Sequence, residues 1–124
     1  MSFDWNKYRE LAEELRKRDD EAAQRTAISR VYYAVYWRAR NLLADEGFMF
    51  REFDSSHRQI WDEFKNRGRT FGGIGSAGDR LRKNRVQADY FPEIENINAL
   101  LERSFELADN AIFYLQQVEK KDEN

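Results

Sequence analysis

Residues 21–47 read EAAQRTAISRVYYAVYWRARNLLADEG, and this stretch decides the fold. It holds no proline, its only glycine is the final Gly47, and Ala, Arg, Glu and Leu are common in it. It therefore reads as one long helix from about Glu21 to Glu46, with Gly47 as the left-handed residue just past its end. Ile28, Tyr32, Val35, Ala39, Leu42 and Leu43 form its main apolar stripe. Ala27, Val31 and Ala34, with Tyr33 and Trp37 nearby, widen that stripe well beyond one face. A helix apolar over so much of its girth is central, or faces both a core and a partner chain, and both are expected here.

Working outward, Asp19-Asp20-Glu21 reads as a break followed by an acidic first turn. Before it, a first helix is expected from Ser2 or Asp4 to about Arg18, burying Trp5, Tyr8, Ala12 and Leu15. After it, residues 47–55 read as a loop, and Ser55 or Ser56 caps a third helix carrying His57, Ile60, Trp61 and Phe64 on one face. Asn66 to Ser76, rich in Gly and Arg, reads as a second loop. A fourth helix then runs from about Ser76 to the Asn84–Ala88 region, stopping before Pro92. A fifth fills about Glu93 to Lys120, with Ile97, Leu100, Leu101, Ser104, Leu107, Ala108, Ala111, Leu115 and Val118 as its buried stripe. The expected architecture is all-α, an antiparallel bundle of four to five helices forming a single domain over residues 1–124.

Composition narrows the chemistry. With no cysteine, disulfides, thiolate metal sites and Cys nucleophiles are excluded together. The single histidine, His57, cannot furnish the paired Glu-x-x-His ligands of a di-iron bundle, so no metal and no cofactor are expected. The first eighteen residues are charged throughout and fit neither a signal peptide nor a membrane span, so the expected location is cytoplasmic, away from membranes. Net charge is only −2, yet residues 58–88 carry 8 basic and 3 acidic side chains while residues 89–124 carry 3 basic and 9 acidic. A basic middle beside an acidic end marks an anion-binding face or the complementary faces of packed helices.

Three segments carry a family resemblance. The first is Ser29-Arg30-Val31-Tyr32-Tyr33-Ala34-Val35-Tyr36, continuing through Ala39-Arg40-Asn41-Leu42-Leu43; the second is Ser56-His57 with Phe64 seven residues after the histidine. The third is Leu81-Arg82-Lys83-Asn84-Arg85-Val86-Gln87-Ala88-Asp89-Tyr90. In this order they resemble the HEPN family, particularly its short stand-alone prokaryotic members. The resemblance implies a helical bundle, usually a homodimer, that binds RNA or a nucleotide and is often paired with a minimal nucleotidyltransferase as toxin and antitoxin. Nuclease members carry Arg, four to six residues, then His, often followed by one residue and a Tyr. Arg holds the scissile phosphate through its forked donors, and His exchanges protons near neutral pH.

The third segment departs from that nuclease pattern. Ala88 stands where the catalytic His belongs and Lys83 where the Arg would sit; Tyr90 is retained, and the neighbouring Arg82 could still supply the cation. The catalytic candidates are therefore Arg82, Lys83 and His57, the last only by swinging in from the third helix. The resemblance places RNA or nucleotide contacts on Arg82, Lys83, Asn84, Arg85 and Asp89, and makes Tyr90 a target for adenylylation by the partner transferase. Bland readings stand beside these: an exposed Arg85–Asp89 helix pair, His57 as a core-edge histidine with one hydrogen bond, and Tyr90 as a packing aromatic. Gly73-Ile74-Gly75-Ser76-Ala77-Gly78 spells G-x-G-x-x-G, but no strand precedes it, so it reads as a flexible entry to the fourth helix. Tyr33, Tyr36 and Trp37 read as core, and Arg30 and Arg40 as partners of acidic residues on the fifth helix. The leading expectation is a HEPN-like binding module. A metal-independent ribonuclease toxin and a non-catalytic protein-interaction subunit are the alternatives.

Overall fold

The computed structural model describes residues 2–122, with side chains through Glu119. It contains five helices: α1 (Asn6–Arg16), α2 (Glu21–Asp45), α3 (Ser56–Lys65), α4 (Arg69–Tyr90) and α5 (Ile97–Asp122). The ends of α2 are chemically sharp. Asp20 accepts a hydrogen bond from the Ala23 amide at 2.7 Å, satisfying a first-turn donor. At the other end Gly47 takes φ +87°, its amide donates to the Ala44 carbonyl, and the Phe48 amide donates to the Leu43 carbonyl at 2.9 Å. That double bond pattern closes the helix and turns Phe48 back onto the core.

The wide apolar girth of α2 is explained by its neighbours, since α1, α3, α4 and α5 all pack on it. Ala27, Ile28, Val31, Tyr32, Ala34, Val35, Ala39 and Leu43 are fully buried by the chain's own helices. Its exposed residues lie at the two ends and include no large apolar side chain. What remains half-exposed along its middle is Arg38, which meets α5, and a stripe of Arg30, Tyr33, Trp37 and Arg40.

Successive contacts give the directions of the helices. Trp5 stacks on Trp37 while Arg30 lies over Tyr8, so α1 runs antiparallel to α2. Asn84 bonds Ser104 and Gly73 lies against Tyr114, so α4 and α5 are antiparallel. Gln24 meets Asn98 and Arg38 meets Glu119, so the two long helices α2 and α5 run the same way. The buried side chains form one cluster centred on Tyr32, Trp61 and Phe64, and no described helix is long and apolar enough to cross a membrane.

Three element boundaries differ from the sequence reading. Helix α4 begins at Arg69 rather than Ser76, and Gly72, Gly73, Gly75 and Gly78 are all helical. The true turn is at Gly68, with φ +99°, which leaves only Asn66 to Gly68 between α3 and α4. A Cβ on Gly75 would lie 2.6 Å from the Trp61 carbonyl oxygen and 2.7 Å from the Lys65 amide nitrogen, and one on Gly78 would enter the Trp61 ring. These glycines let two helices touch; they do not loosen a loop. Helix α5 begins at Ile97 rather than Glu93, because Asn96 supplies the cap by accepting from the Ala99 amide at 3.1 Å. Helix α1 is also shorter than expected, closing at Arg16 with the Lys17 and Arg18 amides turned onto Glu14 and Leu15.

Candidate functional site

The first turn of α3 sets His57 against the tyrosines of α2. Its ring stacks on Tyr32 at 5.6 Å and lies 4.4 Å from the Tyr36 ring, while Tyr36 Oη bonds Ser56 Oγ at 2.8 Å. Below them Trp61 Nε1 donates to Tyr32 Oη at 3.2 Å, and Tyr32 Oη lies 2.5 Å from His57 Nδ1. An indole nitrogen only donates, so the tyrosine oxygen accepts there; the fully buried hydroxyl proton then has His57 Nδ1 as its one acceptor among the described residues and goes to it. This assigns the imidazole proton to Nε2. Burial, with the charges of Arg85, Arg82 and Arg40, depresses the His57 pKa to about 4, so the ring is neutral at pH 7. Burial likewise pushes the Tyr32 hydroxyl well above its ordinary value.

That depression has a stability consequence. A histidine with a folded pKa near 4 and an unfolded value near 6.5 adds its stability above pH 6.5 and loses it as pH falls toward 4, because only the unfolded chain takes the proton there. After screening at a partly exposed ring, the loss between pH 7 and pH 5 is expected to be on the order of 1 kcal/mol. Urea melts of wild type and His57→Gln at those two pH values check this. The variant should lose less stability than wild type, and identical losses would refute the assignment.

Helix α4 brings two arginines to the same place. Arg85 is 8 % exposed, and its guanidinium sits 5.5 Å from the Tyr32 ring centre, 5.4 Å from Tyr33 and 6.0 Å from Tyr90. Its Nη1 donates to Asp89 at 3.3 Å, and Asp89 also accepts from Ser29 at 3.3 Å. Burial works against the cation, but Tyr33 and Asp89 offset it and the Arg85 pKa stays raised. Arg82 lies one turn earlier, close enough to act on both His57 and Tyr32. The Nε atoms of Arg82 and Arg85 are both buried without a hydrogen-bond partner. Such a group costs about 1–3 kcal/mol when nothing meets it.

The stripe on α2 continues the cationic surface. Arg30 lies 4.8 Å over Tyr8 and 5.5 Å over Tyr33, and Arg40 lies 4.3 Å over Phe50 and 5.7 Å from Trp37. Among the described residues no carboxylate comes within ion-pair distance of Arg30, Arg40 or Arg82. The expected pairing of Arg30 and Arg40 with α5 is therefore not found. The arginines that meet α5 acids are Arg9, on Asp109, and Arg38, on Glu119. Arg38 and Arg40 are two residues apart on one helix, hence roughly opposite in direction, and only the first looks toward α5.

The remaining residues of the third segment spread around α4. Lys83 is exposed and pairs with Asp79, which Lys65 of α3 also holds. Asn84 points to the α4–α5 seam, where it donates to Ser104 at 3.2 Å. Neither joins Arg82 and Arg85, since consecutive residues of a helix diverge by about 100°. Ala88 is buried against α2, and its carbonyl accepts from Arg25 Nη1 at 3.1 Å. The position that would hold a histidine thus lies inside a packed seam. Tyr90 is 71 % exposed, at the end of a turn that Arg25 fixes through the Phe91 carbonyl at 2.6 Å. Sequence reasoning found His57, Arg82, Arg85 and Asp89, but it missed the Trp61–Tyr32–His57 hydrogen-bond chain and the unpaired state of Arg30 and Arg40. The i, i+3, i+7, i+10 spacing of Arg30, Tyr33, Trp37 and Arg40 was the available signal for the latter.

No family model matches the chain, nor does any curated protein or solved structure.

Proposed function

We propose that the chain is a HEPN-like domain that binds RNA or a nucleotide through the arginine face of α2 and α4. The observation that carries this reading is the uncompensated charge. Arg30, Arg40, Arg82 and Arg85 gather around Tyr33 and His57; among the described residues Asp89 is the one carboxylate within ion-pair distance of any of them, and Asp79 lies near enough to feel the charge of Arg82. Two of their Nε atoms are buried and unmet. A phosphate oxygen answers the uncompensated charge, because guanidinium groups bind it through charge-assisted, often bidentate bonds from their exposed N–H edges, while the buried Nε atoms lie out of its reach. His57 offers one further donor, Nε2–H, to the same ligand. The family resemblance adds a homodimer and a minimal nucleotidyltransferase partner that would reach the exposed Tyr90, and the charged N-terminus and lack of cysteine support a cytoplasmic setting.

Binding is favoured over cleavage by the state of His57. A general base needs a free lone pair and a pKa near the working pH. Here the lone pair on Nδ1 accepts from Tyr32, and the pKa is depressed to about 4. RNA incubated with the protein in EDTA is therefore expected to stay intact. In a gel-shift assay at low salt the protein should retard RNA, and Arg82→Ala should weaken binding about tenfold. Absence of any shift at low salt, where phosphate contacts are strongest, would sink the binding reading. Metal-independent cleavage lost in Arg82→Ala would replace it with the ribonuclease reading.

A further inference from the structure

Resting on the binding reading above, we infer that the ligand is an unpaired RNA strand lying along α2 from Arg30 to Arg40, not a mononucleotide or a duplex. The arrangement is a strip. Arg30, Tyr33, Trp37 and Arg40 recur on one side of α2, and all four are half-buried. Ten residues separate the end arginines, a rise of about 15 Å. At about 3.4 Å per nucleotide of a stacked strand, that length matches roughly four to five nucleotides. One phosphate cannot meet both ends.

Each terminal guanidinium is backed by two rings, Arg30 by Tyr8 and Tyr33, and Arg40 by Trp37 and Phe50. Stacked in this way, a guanidinium keeps most of its N–H edges free for phosphate oxygens, although Arg30 Nη2 also donates to Ser29 Oγ at 3.4 Å. The centre of the strip borders His57, Arg82 and Arg85. It is also rich in aromatic surface. Trp37 has one face covered by Trp5 at 4.7 Å, and Tyr33 lies between Arg30 and Arg85. With those rings already covered, the surfaces left for unpaired bases are the guanidinium planes lying over them, on which bases stack whatever their sequence. A duplex hides its bases, and the A-form major groove is too deep and narrow for side chains to read.

The test is fluorescence anisotropy at low salt with labelled oligouridylates of one, two, four and eight nucleotides, beside a blunt RNA duplex. Affinity should rise at least about tenfold from one nucleotide to four, then level off, with the duplex far weaker. Arg40→Ala should weaken the four-nucleotide ligand about five- to tenfold and the mononucleotide by less than about twofold, and Arg40→Lys should restore part of the loss. Circular dichroism of both variants separates binding from folding. Equal affinity at every length, a duplex that binds as well as the strand, or an Arg40→Ala loss independent of length would overturn the strip while leaving an anion site in place. Failure of every ligand to bind would sink the binding reading beneath it as well.

Discussion

Gly75→Ala and Gly78→Ala are expected to lower the stability of the protein by about 2–3 kcal/mol each, while Gly72→Ala and Gly73→Ala raise it by about 0.5–1 kcal/mol. All four glycines lie within α4, and in each case alanine gains the same helix propensity. The signs diverge because of what a Cβ would meet. At Gly72 the nearest atom is the Lys65 carbonyl oxygen at 3.7 Å, and at Gly73 it is the Tyr114 ring at 3.4 Å, both ordinary contacts. At Gly75 the obstacle is α3 backbone, and at Gly78 it is the Trp61 ring, which is fully buried and cannot swing aside. Relief at those two sites requires α3 to move off α4, which unpacks Trp61 and loosens the Tyr32 and His57 bonds that depend on it. Thermal melts should show shifts of roughly 10 °C downward for one pair and a few degrees upward for the other. Four shifts of the same sign would mean that the helices do not pack as closely as these positions require.

The same glycines show where sequence reading stops. Helix α2 was legible because its signals are local: twenty-five residues without a breaker, an aspartate before them and a glycine after. A glycine inside α4 carries two meanings, local flexibility or close approach, and only the tryptophan on a different helix decides between them. The start of α5 was misjudged for a related reason. Proline at 92 marked the end of one helix, but the next began only where Asn96 could cap it. The candidate site was half legible. Arg82, Arg85 and Asp89 share a face by spacing alone, and spacing also says that Lys83 and Asn84 do not. The hydrogen-bond chain to His57 was out of reach, since Tyr32, His57 and Trp61 are joined by tertiary packing across two helices. The partners of Arg30 and Arg40 were misassigned because the sequence does not say which side of α2 faces α5. That side proved to be the one carrying Arg38.

Replacing Arg30, Arg40 and Arg82 together with glutamine is expected to cut RNA affinity at low salt by about 10²–10³, with little change in stability. The two halves of this expectation come from one fact. Among the described residues none of the three arginines holds an ion pair, so removing their charge breaks no native contact of that kind. Glutamine keeps most of each stem against the rings beneath it. Arg40 and Arg82 act with Arg85 on one histidine, so these like charges lie near one another and removing two of them relieves their repulsion. That relief offsets the lost cation–π contacts of Arg30 and Arg40, so stability should stay within about 1 kcal/mol of wild type. Binding should show a matching change of mechanism. Each phosphate contact to a single strand contributes about 0.7 to the slope of log affinity against log salt, so the triple variant should flatten that slope by about 2. Arg38→Gln is the control with the opposite profile. Its guanidinium ties α2 to Glu119 at 3.0 Å and to Asn6 at 3.1 Å, so its loss should cost about 1 kcal/mol of stability and leave RNA affinity unchanged. If the triple variant instead lost stability in step with affinity, the three arginines would be part of the scaffold. The case for an anion-binding face would then have to rest on Arg85 alone, which is too deeply buried to carry it.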